Sequence, residues 1–96
     1  MIIIFTVATQ DDADPIINAL EKEEKYFEHR LYKMHTTIID NDFVKDLSKL
    51  GRDLNRVIIV NNMKQNYKNQ PNNGIIIRPF GVKMSKILNW PIYLIY

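Results

Sequence analysis

The sequence has no cysteine, which excludes disulfides, thiolate catalysis and cysteine-bound zinc and fits a reducing compartment. It has no strong excess of charge either: 13 Lys and Arg against 11 Asp and Glu leave a net charge of +2. That is no electrostatic footprint for nucleic acid, and the basic residues are scattered apart from Lys64 and Lys68 in a polar stretch. No apolar run approaches the roughly 20 residues of a membrane-spanning helix. Met1-Ile2-Ile3-Ile4-Phe5 lacks the basic region and the small-residue cleavage site of a signal peptide. These absences set the expectation of an intracellular protein with no nucleic-acid partner and no membrane insertion.

What is present is one small domain, residues 1–96, with 46% hydrophobic and 25% charged residues. A chain this size buries roughly 60–70% of its unfolded surface, enough for a single core with little margin. Ile2 to Thr6 is β-branched and aromatic, the pattern of a strand covered on both faces. A polar loop, Thr6 to Gln10, follows. Asp14 reads as the cap of a helix whose first residue is Pro15, with Ile16, Ile17 and Leu20 on one face and Glu21 to Lys25 as its solvated end. Phe27–Tyr32 and Thr36–Ile39 read as short strands, and Asp40-Asn41-Asp42 as a turn before Phe43 and Val44, so a small antiparallel insertion is expected here.

The central stretch is FVKDLSKLGRDLNRVIIVNN, Phe43 to Asn62. It gives a short helical turn, a breaker at Gly51-Arg52-Asp53, and the apolar strand Val57–Val60 ending in Asn61 and Asn62. In an α/β sheet, ligands sit beyond the carboxyl ends of strands, which aims these two amides at a site. Asn61 to Asn73 reads as a loop too polar for the core, Gly74–Ile77 as a buried strand, and Lys83–Trp90 as an amphipathic helix that Pro91 separates from Ile92–Tyr96. Strands alternating with helices argue for an α/β domain.

The order FTVAT, DADP, RLYK, FVKDLSKLGRDLNRVIIVNN and NQPNNGI resembles the haloacid-dehalogenase-type protein phosphatases. More narrowly it looks like the small CTD phosphatase and NLI-interacting-factor group, over about residues 3 to 80. The resemblance implies a partial doubly wound parallel sheet with the antiparallel insertion. It also implies a Mg²⁺-dependent phosphoaspartate mechanism on phosphoserine or phosphothreonine, with one carboxylate as nucleophile and a second as acid and base. Thr6 matches the hydroxyl that holds a phosphate oxygen, and Lys45 the lysine that neutralises nucleophile and phosphoryl charge. Asn61 falls where the family places an acidic metal residue, and Asn62 matches the amide after it.

Two departures follow from the same comparison. The family's Asp-x-Asp strand would lie before Ile2, so the domain is expected to lack its first strand, and a missing N-terminal half becomes a possible partner. Asn61, a neutral amide, cannot offset a divalent charge as a carboxylate does, so Mg²⁺ binding is weakened. Asp12-Ala13-Asp14 spells Asp-x-Asp, but Pro15 directly after it favours a helix cap over a nucleophile. His29 and His35 have no partner at ligand spacing and read as half-exposed strand residues; Arg30 and Lys33 read as a solvated edge of the insertion, and Tyr26, Phe27, Tyr32 and Phe43 as core. The expectation is a fragment or degenerate member of a phosphoprotein phosphatase family, unable to hydrolyse a phosphoester alone, in the nucleus or cytoplasm. The alternative is a non-catalytic module binding a phosphopeptide or protein partner, as in the mitochondrial inner-membrane translocase subunit that shares this domain.

Overall fold

The computed structural model describes residues 1–61, 63–76 and 93–95. Among these the chain forms an α/β fold built on five parallel strands in the order β2-β1-β7-β5-β6, with a separate two-stranded antiparallel sheet, β3-β4. The strands are β1 (Ile2–Phe5), β2 (His29–Leu31), β3 (Thr37–Ile39), β4 (Asp42–Val44), β5 (Val57–Asn61), β6 (Gly74–Ile76) and β7 (Tyr93–Ile95). One α-helix, α1 (Gln10–Leu20), links β1 to β2.

Alternation along β1 sends its side chains to two faces of the sheet. Ile3 and Phe5 pack with Leu47, Val57, Ile59, Tyr67 and Ile95 on one face, while Ile4 packs with Ala13, Ile17 and Tyr32 on the other. The apolar run Ile2–Phe5 is therefore a covered strand, as its composition implies.

Helix α1 departs from expectation. It starts at Gln10 with Thr9 as N-cap, so Pro15 lies inside it and Asp14 is not its cap. Pro15 removes one backbone donor, but Asp11 and Asp12 in the first turn suit the positive end of the helix. Tertiary contact decides the rest. Ala13 and Ile17, four apart, are buried, whereas Ile16 and Leu20 are exposed. Asp14 accepts from Tyr32 Oη and from Arg30 at 3.2 Å. Neither acid of the Asp-x-Asp decoy stands at the end of a strand.

Arg30 and His29 belong to β2, which pairs in parallel with β1 (Phe5 opposite Leu31) rather than joining the insertion. His35 lies in a 3-10 turn, where its Nδ1 accepts from Tyr32 N at 2.9 Å. The insertion is β3-β4 alone, with Asp40 and Asn41 at φ 50° and 66° forming its turn. Lys68 Nζ ties that turn down, donating to Ile39 O and Asp42 Oδ2 at 3.0 Å. Glu21 is not a solvated helix end. Its carboxylate accepts from Tyr26 N, Phe27 N and Arg30. Burial pushes its pKa up, and these hydrogen bonds outweigh that to leave it lowered.

The Asn61–Asn73 stretch contains two 3-10 turns, Lys64–Tyr67 and Pro71–Asn73, and buries Asn66 and Tyr67 against expectation. Tyr67 lies against Gly74, where an added Cβ would overlap its ring. Ile75 of β6 is exposed, so that strand is less covered than its sequence suggests. The expected helix Lys83–Trp90 falls outside the described residues. Strand β7 pairs with β1 on one side (Ile3 opposite Ile95) and β5 on the other (Ile59 opposite Ile95), filling the centre of the sheet. A central position for this short run was not foreseen.

Gly74→Ala should destabilise the chain by about 1–3 kcal/mol, the usual penalty of forcing a packed ring aside. Urea unfolding would measure it, and the penalty should shrink when Tyr67 is first changed to Leu.

Candidate functional site

The chain runs outward from β1 to β2 and outward from β5 to β6, so the sheet order reverses between β1 and β5. Ligand crevices in open α/β sheets lie beyond the carboxyl ends of strands at such a point. Phe5 and Asn61 end the two strands there.

Lys45 follows β4 and is 5% exposed. Its backbone N donates to Asn66 O at 2.7 Å, which turns the chain back into the core after the insertion. Its Nζ donates to Asn61 Oδ1 at 3.0 Å and lies 5.8 Å from the centroid of the Phe5 ring. An ammonium is a pure donor, so Asn61 must present its carbonyl oxygen to it. The Asn61 Nδ2 then donates to Met63 O at 2.9 Å and to Asn66 Oδ1 at 3.0 Å. Asn66 Nδ2 in turn donates to Phe43 O at 2.8 Å. The amides form a chain that fixes the lysine head.

Among the described residues no carboxylate balances that head. Asp46, next in sequence, accepts from Ser48 and Gln70 instead, and Asp42 holds Lys68. Burial accordingly lowers the Lys45 ammonium from 10.5 to about 8. The site is a desolvated cation with neutral partners, which favours an incoming anion.

Thr6 stands one residue beyond Phe5. Its Oγ1 accepts from Ala8 N at 3.1 Å, leaving the hydroxyl proton directed elsewhere, and its own N donates to Leu31 O. The structure thus joins Lys45 directly to Asn61 and puts Thr6 at the end of the strand whose Phe5 ring faces the lysine. Asn62 lies outside the described residues. Asn66 was not recognised in the sequence: an amide in a polar, asparagine-rich stretch carries no mark of burial.

A Mg²⁺ site needs several hard, mostly anionic oxygens. Here the amide oxygens of Asn61 and Asn66 are neutral and already accept hydrogen bonds, from the Lys45 ammonium and from Asn61 Nδ2, each at 3.0 Å. No group of three or more His, Cys, Asp or Glu among the described residues is placed to hold a metal. This donor set does not fit the ion.

A family model described as "NLI interacting factor-like phosphatase" matches residues 1–89. The chain belongs to the NLI interacting factor-like phosphatase family. It is 40% identical over 76 residues to "Nuclear envelope morphology protein 1" of Schizosaccharomyces pombe, covering 79% of this chain and 16% of that protein. It is 35% identical over 83 residues to "Carboxy-terminal domain RNA polymerase II polypeptide A small phosphatase 1" of Homo sapiens, covering 86% of this chain and 31% of that protein. It is also 37% identical over 79 residues to "Mitochondrial import inner membrane translocase subunit TIM50" of Homo sapiens, covering 82% of this chain and 22% of that protein. The chain therefore spans less than a third of the length of these relatives. No helix among the described residues is long and apolar enough to cross a membrane.

The lysine pKa has a stability consequence whose sign is fixed. Because the folded value lies below the unfolded one, the unfolded chain binds more protons between pH 8 and 10.5, and stability rises with pH across that window. The penalty at pH 7 is about 3 kcal/mol at most, against about 1 kcal/mol for the hydrogen bond to Asn61. Lys45→Met should therefore stabilise the chain by about 1–2 kcal/mol at pH 7. Urea unfolding across pH 7 to 10.5 should show that advantage fading as the native chain gains stability.

Proposed function

We propose that this chain is a degenerate member or fragment of a phosphoprotein phosphatase that binds a phosphoryl-type oxyanion and does not hydrolyse it. The observation that carries the reading is Lys45 Nζ held by the Asn61 amide, with no carboxylate beside it among the described residues. An oxyanion entering beyond the β1 and β5 carboxyl ends would meet the Lys45 ammonium, with the Thr6 hydroxyl as a second donor. Phosphoryl transfer through a covalent intermediate needs an activated carboxylate nucleophile, and beside the Lys45 ammonium the described residues place a neutral amide that accepts its hydrogen bond.

In this reading residues 1–96 belong to one haloacid-dehalogenase-type domain, and none of the described strands ends in an Asp-x-Asp pair. The sheet order, with a crossover point between β1 and β5, supports the doubly wound assignment. The partner is a phosphorylated protein, and a separate N-terminal half is a second candidate partner. Asn62 stays a proposed neighbour of the site by sequence match alone. A nuclear or cytoplasmic setting is part of the proposal, supported by relatives named for the nuclear envelope and RNA polymerase II.

A second reading, a module that binds unphosphorylated protein, is favoured by the 37% identity to the translocase subunit. Matched phosphorylated and unphosphorylated peptides separate the two: the first reading requires phosphate-dependent binding.

With a generic phosphate ester and Mg²⁺ the chain should release no phosphate, and Asn61→Asp should not rescue it; Mg²⁺-dependent turnover by the unmodified chain would overturn the reading. Sulfate, whose charge is constant over the range, should bind in calorimetry with an affinity that is flat below pH 8 and falls about tenfold per pH unit above it as Lys45 loses its proton. Lys45→Met should abolish that binding.

A further inference from the structure

The chain has three glycines, and only Gly74 follows an asparagine. In a flexible chain an Asn-Gly pair is the least stable setting for an asparagine, because no side chain on the second residue hinders its backbone nitrogen. That nitrogen bonds to the asparagine Cγ, the Cγ–Nδ2 bond breaks, and ammonia leaves with the proton the nitrogen gave up. Water then opens the cyclic imide at either carbonyl, giving aspartate or isoaspartate. The reaction needs water alone.

Neither reacting group is free in the folded chain. Asn73 ends the 3-10 turn Pro71–Asn73, and its Nδ2 donates to Leu54 O at 2.7 Å and to Val57 O at 2.9 Å. Those bonds use both amide protons and tie the turn to the start of β5. The Gly74 N–H donates to Pro71 O, and Gly74 is paired opposite Ile59 as the first residue of β6. The Tyr67 ring lies against Gly74 as well. Bringing Gly74 N onto Asn73 Cγ therefore breaks the turn, the Asn73 bonds and the start of β6 together.

The products do not fit the place the amide leaves. A carboxylate at position 73 has no proton to give, so Leu54 O and Val57 O each lose a donor and face a negative charge. An isoaspartate adds a backbone methylene directly before β6, which shifts Gly74 from its register with Ile59 and its contact with Tyr67.

We infer that Asn73 is a spontaneous deamidation site that the native fold keeps closed, so that opening of the β5–β6 junction is recorded as a covalent change that refolding does not reverse. Reaction of the open form competes with reclosing, and loss of folded chain becomes irreversible in proportion to the time spent open. Tyr67 directly follows Asn66, so the same damage reaches the turn that holds Asn61. The inference rests on the Asn73 geometry and stands whether or not an oxyanion binds.

The unmodified chain is incubated warm in mildly alkaline buffer, with and without concentrated urea, and peptide mapping by mass spectrometry follows aspartate and isoaspartate at every asparagine. Asn73 is expected to convert first in urea and at least about tenfold more slowly in buffer, since reaction of the native chain waits for opening. Equal rates in the two conditions, or another asparagine leading in urea, would overturn the inference. Chains aged in urea and diluted back should divide on size exclusion, with the converted ones missing from the compact fraction; converted chains that refold as fully as unconverted ones contradict the one-way step. Asn73→Asp should lower the urea midpoint of unfolding or prevent folding, and an unchanged midpoint would count against the inference in the same way.

Discussion

A lysine ammonium taken out of water needs compensation, and around Lys45 the described residues provide it with dipoles rather than charge. That constraint organises the local structure. Asn61 must turn its oxygen to the lysine, which sends its NH₂ to Met63 O and Asn66 Oδ1. Asn66 must then be buried, and its own NH₂ reaches Phe43 O while its backbone oxygen receives Lys45 N. The end of β4 is locked to a distant part of the sequence, the end of β5 and the 3-10 turn directly after it, around one ammonium. A carboxylate at position 61 would satisfy the same lysine at lower cost. The amide leaves it under-compensated, which is what a site poised for an anion requires.

The sheet supplies the frame and carries its own weak point. Among the described residues the strands of its two halves pair only through β7, while Ile3 and Phe5 of one half also pack with Val57 and Ile59 of the other, so the separation of the Thr6 end of β1 from the Lys45–Asn61 pair depends in part on three residues from a distant part of the chain. The α1 side is held differently. Arg30 bridges Asp14 and Glu21, and Glu21 also accepts two backbone N–H groups, so the helix and β2 are fixed by hydrogen-bonded charge as well as by Ala13, Ile17 and Tyr32. One half of the sheet is thus pinned from outside and the other from the centre.

The family, the α/β class and the strands β1 and β5 could be read from the sequence, because β-branched runs and the KDLSKLGRDL stretch carry specific signals. The start of α1 could not. Asp14-Pro15 is a good helix start in isolation, and only the packing of Ala13 and the bonds from Tyr32 and Arg30 show that Asp14 lies mid-helix. Asn66 and Tyr67 were hidden because burial there depends on partners 20 or more residues away for the amide (Phe43) and on the missing side chain of Gly74 for the ring. β7 was hidden because a three-residue strand acquires meaning only from the two strands it lies between. At the site, the sequence put Lys45 and Asn61 together only through a resemblance; their hydrogen bond gives the pairing a physical basis, and their proposed work on an anion is a further step.

The most direct measurement of the central claim is an NMR titration of the Lys45 side chain, followed at Cε and Nζ, in the free chain and with saturating sulfate. The account predicts a pKa of about 8 in the free chain and a clear rise with sulfate bound, because the anion supplies the charge the amides do not. An ordinary lysine value in the free chain, or a value that does not move when sulfate is added, would contradict it.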